Sequence, residues 1–496
     1  MTPLATLPPE LIDHILGFLS RDIATLRSCS KALEPFEMCA LVDRWLYKNI
    51  SVYTGSRDSG GRHGRTLRMN ASQLAMLLRG SSNVISTTST NLVLSTYIQS
   101  LRITLGSPSL ITWFMSRSLG DAEITPLLAS PSLMPSLRAL TLSSNGDCIP
   151  WIRCNEGFRK AFVQRLAWSN NYEMDNRRVI DEVKLKRIEY FPLRLLENCG
   201  GLRKLHLEGS FEWAPQAEGA SLRVQHLAIY HCSPSLHIIT TWLTHPTIFS
   251  PNPECIISNL RSLDFRTSRA DNFAFLPRLL GPCKETLQDL TIDYGGESFT
   301  TTYTVPPSPS SNTPVPALST LASSLPLRSL VALRKLTIYT SIVSQCQYVA
   351  LSQGDESLIA RTYRSSIEEI AASLVGLWEE ADGEQEVLTN LKEIELKISL
   401  HLSGWDAPML SEMDFEPLRC VLSGCTNVAS TSSTSSSVKM SSKPTPSPLL
   451  TLNIVSTKRS SQPSIQIPFS KLQEDIKKNG VLNRLVKDGK VMIIGR

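Results

Sequence analysis

Apolar positions near the amino terminus repeat with the period of a helix. The predicted helix begins at Pro9, which suits the first helical position because that residue's N–H has no partner within the helix. Its apolar side chains follow at steps of three and four residues: Leu11, Ile12, Ile15, Leu16 and Leu19. Asp22 is placed to cap a second helix that runs to about Leu33, and Pro35 is placed to start a third.

Three short helices within about fifty residues bury little apolar surface, so such a bundle is only marginally stable alone. Its apolar stripes exceed what three helices can hide among themselves. The pattern therefore favours either of two interpretations. The stripes are covered by a partner molecule, or the helices only cap the larger domain that follows them.

The same segment resembles the F-box of fungal F-box proteins. The resemblance lies in Leu7–Ile12, Ile15-Leu16, Phe18-Leu19 and Thr25–Ser30. In that family the first two helices dock on a Skp-type adaptor, which binds a cullin–RING scaffold. The resemblance implies an adaptor-binding surface drawn from eight residues: Leu7, Pro8, Glu10, Leu11, Ile12, Ile15, Leu19 and Leu26.

The rest of the chain repeats the apolar pattern Leu-x-x-Leu-x-Leu, which predicts short strands with alternating buried residues. Nine segments carry it: Ile98-Leu101-Ile103, Leu137-Leu140-Leu142, Leu202-Leu205-Leu207, Val224-Leu227-Ile229, Leu260-Leu263-Phe265, Leu287-Leu290-Ile292, Leu333-Leu336-Ile338, Leu391-Ile394-Leu396 and Leu449-Leu452-Ile454. Stacked units of this kind bury their apolar faces on one another. The spacing between them is uneven, and helical patterns over Phe158–Glu197 and Ser365–Glu380 fill two of the longer gaps.

These patterns predict an α/β fold, with a short N-terminal three-helix F-box-like module followed by an irregular leucine-rich-repeat-like solenoid. This second part also resembles the C-terminal region of fungal F-box proteins with degenerate leucine-rich repeats. The predicted domains are the helical module (1–50), a connector (51–95), the repeat-like region (96–299 and 327–422) and a C-terminal cap (449–496) that holds a helix over Phe469–Leu485. Stretches rich in Ser, Thr and Pro at 300–326 and 423–448 cannot bury enough apolar surface to offset ordering, and are predicted to be disordered insertions.

Composition narrows the function classes. Hydrophobic residues make up 42% of the chain, as in a folded protein, and 50 basic against 45 acidic residues leave a net charge of only +5. That balance gives no electrostatic argument for a nucleic-acid or membrane partner. The start of the chain lacks a secretory signal, no apolar run reaches the ~20 residues of a membrane span, and the eleven cysteines are scattered, so a cytoplasmic or nuclear protein that is not secreted is expected.

No catalytic motif is present. The chain has no phosphate-binding glycine loop, no G-x-S-x-G turn and no H-E-x-x-H helix, and neither Cys148 with Cys154 nor Cys420 with Cys425 has a matching second pair. We expect no cofactor, no metal site and no enzymatic activity. The predicted function is substrate recruitment to an SCF-type cullin–RING ubiquitin ligase through a Skp-type adaptor, with an unknown protein target. The alternative is a leucine-rich-repeat interaction scaffold with no ubiquitin-ligase connection.

Overall fold

The structure is a computed structural model of the 496-residue chain, which divides into an N-terminal unit, Met1–Ile257, and a C-terminal unit, Ser258–Arg496. It describes residues 9–19, 25–29, 39–54, 67–80, 94–106, 124–145, 147–167, 180–197, 199–214, 222–245, 255–267, 270–294, 329–343, 390–402, 415–416, 419, 449–456, 469–489 and 491–495.

Helices open the N-terminal unit. Helix α1 spans Pro9–Leu19, residues 25–29 are helical, and α2 spans Cys39–Leu46. Only Tyr47 and Lys48 separate α2 from the first strand, and the Lys48 carbonyl accepts hydrogen bonds from the backbone N–H groups of Gln99 and Ser100, both at 3.0 Å. The N-terminal helices therefore lead directly into a sheet.

The sheet of the N-terminal unit is built from parallel pairs throughout its described residues. Its strands are β1 (Asn49–Thr54), β2 (Leu67–Asn70), β3 (Ser100–Gly106), β4 (Ala139–Asn145), β5 (Ile149–Pro150), β6 (Glu182–Pro192), β7 (Lys204–Glu212) and β8 (His226–Tyr230). Their order is β2-β1-β3-β4-β6-β7-β8, and the short β5 pairs with the second half of β6. Apart from β2, the main strands follow one another in space as they do in sequence.

Alternation along the strands gives this sheet one apolar and one polar face. The register aligns the apolar positions into two rows, in which every side chain is buried: Ile50, Leu101, Leu140, Val183, Leu205 and Leu227, then Val52, Ile103, Leu142, Leu185, Leu207 and Ile229. Burial of each such side chain stabilises the fold by about 1.5–3 kcal/mol. Residues between these positions form the opposite, polar face.

Helices of varied length connect the strands. They are α3 (Ala71–Gly80), α4 (Ile124–Ala129), α5 (Glu156–Ala167), α6 (Arg194–Glu197) and α7 (Leu236–Thr244), with 3-10 turns at Leu94–Tyr97, Pro131–Leu133, Trp151–Arg153 and Ser233–Ser235. Beside α5, the ring of Trp151 packs 5.7 Å from Phe162 and 4.9 Å from Phe191, measured between ring centroids. This aromatic cluster anchors the second half of β6.

Strand β6 corrects one prediction. Phe158–Glu197 was expected to be helical, but among its described residues only those that belong to Glu156–Ala167 and Arg194–Glu197 are, and Glu182–Pro192 is the longest strand described in the unit. Its register against β7 shifts between Lys186 and Ile188 and again between Ile188 and Phe191. Gly209 of β7 lies at the first shift with φ 136°, and a Cβ atom there would be 2.3 Å from the carbonyl oxygen of Ile188.

The C-terminal unit also holds a parallel sheet. Its described strands are β9 (Ser262–Thr267), β10 (Asp289–Tyr294), β11 (Lys335–Val343), β12 (Glu393–Leu402), β13 (Leu449–Ser456) and β14 (Val491–Gly495), which pair in chain order. Its described helices are α8 (Leu276–Leu280), α9 (Phe469–Lys478) and α10 (Gly480–Lys487), with 3-10 turns at Ala270–Phe275 and Gly281–Cys283. The predicted single helix over Phe469–Leu485 is split, because the Asn479 side chain accepts a hydrogen bond from the Leu482 N–H at 2.9 Å and caps α10.

All nine predicted strands are present, but the predicted fold, a three-helix F-box-like module followed by an irregular leucine-rich-repeat-like solenoid, is wrong. The dominant element is all-parallel sheet accompanied by few helices, and the N-terminal helices run into that sheet instead of forming a separate three-helix module. Parallel strands require crossover connections but not uniform ones. Here α5 lies between β4 and β6, whereas the described residues between β7 and β8 contain no helix. The predicted helix Ser365–Glu380 and the insertions 300–326 and 423–448 lie outside the described residues.

The close approach of β6 and β7 at Gly209 can be tested by substitution. We expect Gly209→Ala to lower the free energy of unfolding by about 3 kcal/mol, because the new methyl group meets the Ile188 carbonyl and the backbone has a conformation that side chains disfavour. Urea unfolding followed by circular dichroism measures the loss. Gly281→Ala is the matched control, since its Cβ would have no neighbour within 4 Å. Equal stabilities for the two variants would contradict the tight approach at Gly209.

Candidate functional site

The first candidate surface lies on α1. Among the eight predicted adaptor-binding residues, Leu7 and Pro8 lie outside the described residues and Glu10 lies in α1. Ile12 and Leu26 are fully buried in a cluster with other apolar side chains, Leu16, Val42 and Leu46. These two residues are therefore internal core, not surface.

Three of the predicted residues do reach the surface of α1. Leu11 is 51% exposed and Ile15 is half-buried; Leu19 is half-buried too, and part of its side chain packs against the same cluster. They are spaced four residues apart, so they form one stripe along the helix beside the buried stripe of Ile12 and Leu16. A large apolar side chain that stays half exposed after its neighbours have packed is a candidate contact for a partner.

The second candidate surface is the polar face of β6, β7 and β8. We define the β6–β8 polar face as the outward-facing residues of these strands together with the residue that follows on β6 and on β8. Its members are Glu182, Lys184, Lys186, Arg187, Lys204, His206, Glu208, His226, Ala228, Tyr230 and His231. Register places Lys184, His206 and Ala228 side by side, and Lys186, Glu208 and Tyr230 in the next row.

His206 lies at the centre of this face. It is only 9% exposed, and its ring centroid is 4.3 Å from that of Tyr230 in an edge-on arrangement. Its Nε2 atom lies 3.8 Å from Glu208 Oε2, which is beyond hydrogen-bonding distance, and this nitrogen has no hydrogen-bond partner among the described residues. We therefore treat the contact with Glu208 as electrostatic.

The charges around His206 oppose its protonation in part. Burial lowers the pKa of His206 below its ordinary value; Lys186 and Lys184 act in the same direction, and Glu208 acts against them. The pKa of Glu208 is also lowered, chiefly by the His206 imidazole and further by Lys186 and Arg187, while burial opposes this shift. At neutral pH the arrangement is thus a neutral imidazole beside a carboxylate that keeps its charge.

Residues with a left-handed backbone conformation lie at neighbouring positions on the same three strands. Lys186, Glu208 and Tyr230 are register partners, and the residue after each has positive φ: Arg187 at 57°, Gly209 at 136° and His231 at 51°. Tyr190, further along β6, has φ 55°. Each such conformation costs a residue other than glycine about 1–3 kcal/mol of stability. Residues with these conformations are concentrated at functional sites.

The polar face of the C-terminal unit carries ion pairs both across and along its strands. Lys335 Nζ lies 2.6 Å from Glu393 Oε1, and Lys397 Nζ lies 2.9 Å from Glu395 Oε1 and 3.0 Å from the Tyr339 hydroxyl. Arg266 binds Asp264 through two hydrogen bonds of 2.9 Å on the same strand. Charges on the β6–β8 polar face are paired in the same way, Lys184 with Glu182 and Arg187 with Glu208.

Nucleophilic chemistry has little support in the described residues. Burial raises the pKa of Cys154, Cys199 and Cys232 to about 12, so these thiols stay protonated at neutral pH. Cys154 is buried, whereas Cys148 is exposed. Within the described ranges, no three His, Cys, Asp or Glu side chains come together as metal ligands, and no helix is both long and apolar enough to cross a bilayer.

The sequence interpretation missed the β6–β8 polar face, because it assigned β6 to a helix. A signal was present: Ile180, Val183 and Leu185 satisfy the spacing of the strand pattern when any apolar residue is accepted, and all three are buried. Glu182, Lys184 and Lys186 alternate with Val183 and Leu185, and this two-residue alternation is typical of a strand.

No protein-family model matches the chain, and no curated protein matches it either. The resemblance to F-box proteins therefore remains a prediction that rests on the quoted residues alone.

His206 gives the N-terminal unit a pH-dependent stability. Because folding lowers its pKa, the unfolded chain binds the proton more readily, so stability is lost as pH falls below the ordinary value of about 6.5. We expect the melting temperature of the wild type to fall more between about pH 7.5 and pH 5.5 than that of His206→Phe. Differential scanning calorimetry at both pH values measures the difference, and parallel losses in the two proteins would contradict the assignment.

Proposed function

We propose that this protein is a non-catalytic subunit that recruits a protein target to an SCF-type cullin–RING ubiquitin ligase in the cytoplasm or nucleus. Helix α1 contacts a Skp-type adaptor, and the adaptor links the chain to the cullin–RING scaffold. The polar face of a sheet holds the target. The chain itself breaks and forms no bond.

The observation that supports adaptor binding is the exposed stripe on α1. Ile12 and Leu16 already fill the small core with Val42 and Leu46, yet Leu11 remains 51% exposed beside the half-buried Ile15 and Leu19. Exposed apolar side chains are common singly, so the argument rests on their alignment along one helix. An adaptor groove that accepts an amphipathic helix contacts apolar side chains at this four-residue spacing.

Recruitment accelerates ubiquitin transfer by proximity. A target held on the same chain as the adaptor meets the charged conjugating enzyme at an effective concentration set by the tether, in the millimolar range for short flexible connections. Neither surface then needs a catalytic group. This agrees with thiols whose pKa is raised to about 12, which are poor nucleophiles at neutral pH.

The adaptor surface is tested by removing its apolar side chains. We expect the double variant Leu11→Ala, Ile15→Ala to weaken capture of a purified Skp-type adaptor about tenfold or more, because truncation of an anchoring apolar residue typically costs more than 1 kcal/mol. Biolayer interferometry with the full-length chain measures the affinity. The variant's circular dichroism spectrum and melting temperature show whether it is folded.

Met76→Ala, Ile152→Ala is the matched control, because both side chains are more than 70% exposed and lie outside α1. This control should bind the adaptor like the wild type. Equal capture by a folded Leu11, Ile15 variant would refute the surface. Failure of the wild type to bind any Skp-type adaptor would favour the alternative of an interaction scaffold without a ligase connection.

A further inference from the structure

The first four strands of the N-terminal unit present positive charge that no acidic residue on the same face balances. We define the β1–β4 polar face as the outward-facing residues of β2, β1, β3 and β4: Arg68, Asn70, Asn49, Ser51, Tyr53, Ser100, Arg102, Thr104, Gly106, Ala139, Thr141, Ser143 and Asn145. Arg68 and Arg102 are its two charged members, and it contains no Asp or Glu. On the β6–β8 polar face, by contrast, Lys184 and Arg187 each pair with a glutamate.

The two arginines have no carboxylate partner in the part of the chain that the structure describes. Arg68 lies over the ring of Tyr53, with its guanidinium carbon 5.4 Å from the ring centroid. The Nε atom of Arg102 donates a hydrogen bond of 3.3 Å to the Ser143 hydroxyl. A guanidinium group has five N–H donors, so both side chains keep donors for a ligand.

The strand register sets the two arginines on either side of Ser51. Arg68 of β2 and Arg102 of β3 are both Cα partners of Ser51, which lies on the strand between them. Adjacent strands are about 4.8 Å apart, so the Cα atoms of the two arginines are about 10 Å apart. Arginine side chains are long enough to contact one small ligand from both sides at that separation.

Buried hydroxyl groups lie between these longer side chains. Ser51, Thr104 and Ser143 are 2%, 3% and 1% exposed, whereas Arg68 and Arg102 are partly exposed. The hydroxyls of Thr104 and Ser143 are hydrogen-bonded to each other at 3.2 Å. The Ser51 Oγ atom has no hydrogen-bond partner among the described residues. Because buried polar groups are nearly always paired, this hydroxyl in line with two arginines points to a ligand as its partner.

Helix α3 adds to the positive potential at one end of the face. It begins at Ala71, directly after Asn70, which is the register partner of Tyr53. The Asn70 side chain accepts a hydrogen bond of 2.7 Å from the Gln73 N–H, and the first turn of the helix contains no acidic residue. The N-terminus of a helix carries about half a positive elementary charge, which favours an anion nearby.

We infer that the β1–β4 polar face binds a phosphate monoester between Arg68 and Arg102, with the Ser51 hydroxyl as a further donor. A phosphate monoester carries close to two negative charges at neutral pH and three acceptor oxygens, which match two guanidinium groups and a hydroxyl. A carboxylate carries one charge and two oxygens, so it compensates only one of the arginines. The inference goes beyond the proposed function and does not depend on the adaptor.

A single phosphate group fits this face better than a nucleic acid does. A nucleic acid carries a charge at every step, and its affinity comes from many basic residues that contact successive phosphates. Here two arginines are aligned in one row, and the other outward-facing residues of the four strands are uncharged. The aromatic ring of Tyr53 is already covered by Arg68.

Isothermal titration calorimetry with the full-length chain, in the absence of adaptor, tests the inference. The probes are phenyl phosphate, phenyl sulfate and benzoate at pH 7.5. We expect phenyl phosphate to bind, with an affinity that falls as salt rises. Phenyl sulfate and benzoate should bind at least about tenfold more weakly, because each carries a single negative charge.

Substitutions on the face locate the site. Arg68→Gln, Arg102→Gln should weaken phenyl phosphate binding about tenfold or more, whereas the matched control Arg194→Gln, Arg203→Gln, which removes two exposed arginines elsewhere in the same unit, should leave it unchanged. Ser51→Ala should weaken binding about tenfold without lowering the melting temperature, because its hydroxyl forms no bond within the described chain. The melting temperature of each variant shows whether it is folded.

A labelled phosphoserine peptide and its serine counterpart, measured by fluorescence anisotropy, identify the source of the phosphate. Tighter binding of the phosphopeptide than of phenyl phosphate assigns the site to a phosphorylated protein segment, and weaker binding assigns it to a free phosphorylated compound; both results support the inference. It would be overturned by no binding of either phosphate probe, by equal binding of phenyl sulfate, or by full binding in the folded Arg68, Arg102 variant or in Ser51→Ala. Tighter binding of a single-stranded RNA, lost in the Arg68, Arg102 variant, would also overturn it.

Discussion

The parallel register of the strands is the constraint on which the rest of the structure depends. In the N-terminal unit it stacks Leu101, Leu140, Val183 and Leu205 into one buried row and their partners two residues on into a second. A slip of one residue on any strand would turn its leucines outward and its charges inward. Since burial of each aliphatic side chain is worth about 1.5–3 kcal/mol, the register is strongly specified, and the residues between the rows are free to vary without loss of the fold.

The backbone irregularities of the N-terminal unit lie beyond the two buried rows. Strand β6 continues past its pairing with β4, and Phe191 in this extension packs against Trp151 and Phe162. The two register shifts against β7 lie between this anchor and the regular rows. The core thus supports left-handed residues that would be costly on an isolated strand. The same packing that fixes the sheet also fixes the arrangement of Arg187, His206 and Glu208 on its surface.

Most strands were predicted from the sequence because each has leucine or a similar apolar residue at the same spacing. Burial in a sheet explains why that spacing recurs along the chain. Strand β6 was missed because it was grouped with the helical pattern that begins at Phe158, although Val183 and Leu185 alternate with charged residues as in a strand. The N-terminal helices were predicted but not their attachment, since the bonds from Gln99 and Ser100 to Lys48 join residues far apart in the chain. Glycine at position 209 permits the close approach and the positive φ found there, whereas the residue type of Arg187 gives no sign of a positive φ.

The two candidate surfaces of the N-terminal unit offer different interactions to a partner: apolar burial on α1 and charge on the β6–β8 polar face. The α1 stripe, with Leu11 at its exposed end, offers apolar area whose burial is insensitive to moderate salt. The β6–β8 polar face offers charge, whose attraction is screened over about 8–10 Å at physiological ionic strength. An apolar contact suits a constant partner that must stay bound, and a charged one suits a partner that arrives quickly and leaves. The proposed recruitment of targets to a ligase needs one lasting contact and one reversible contact, and the N-terminal unit carries a candidate surface for each.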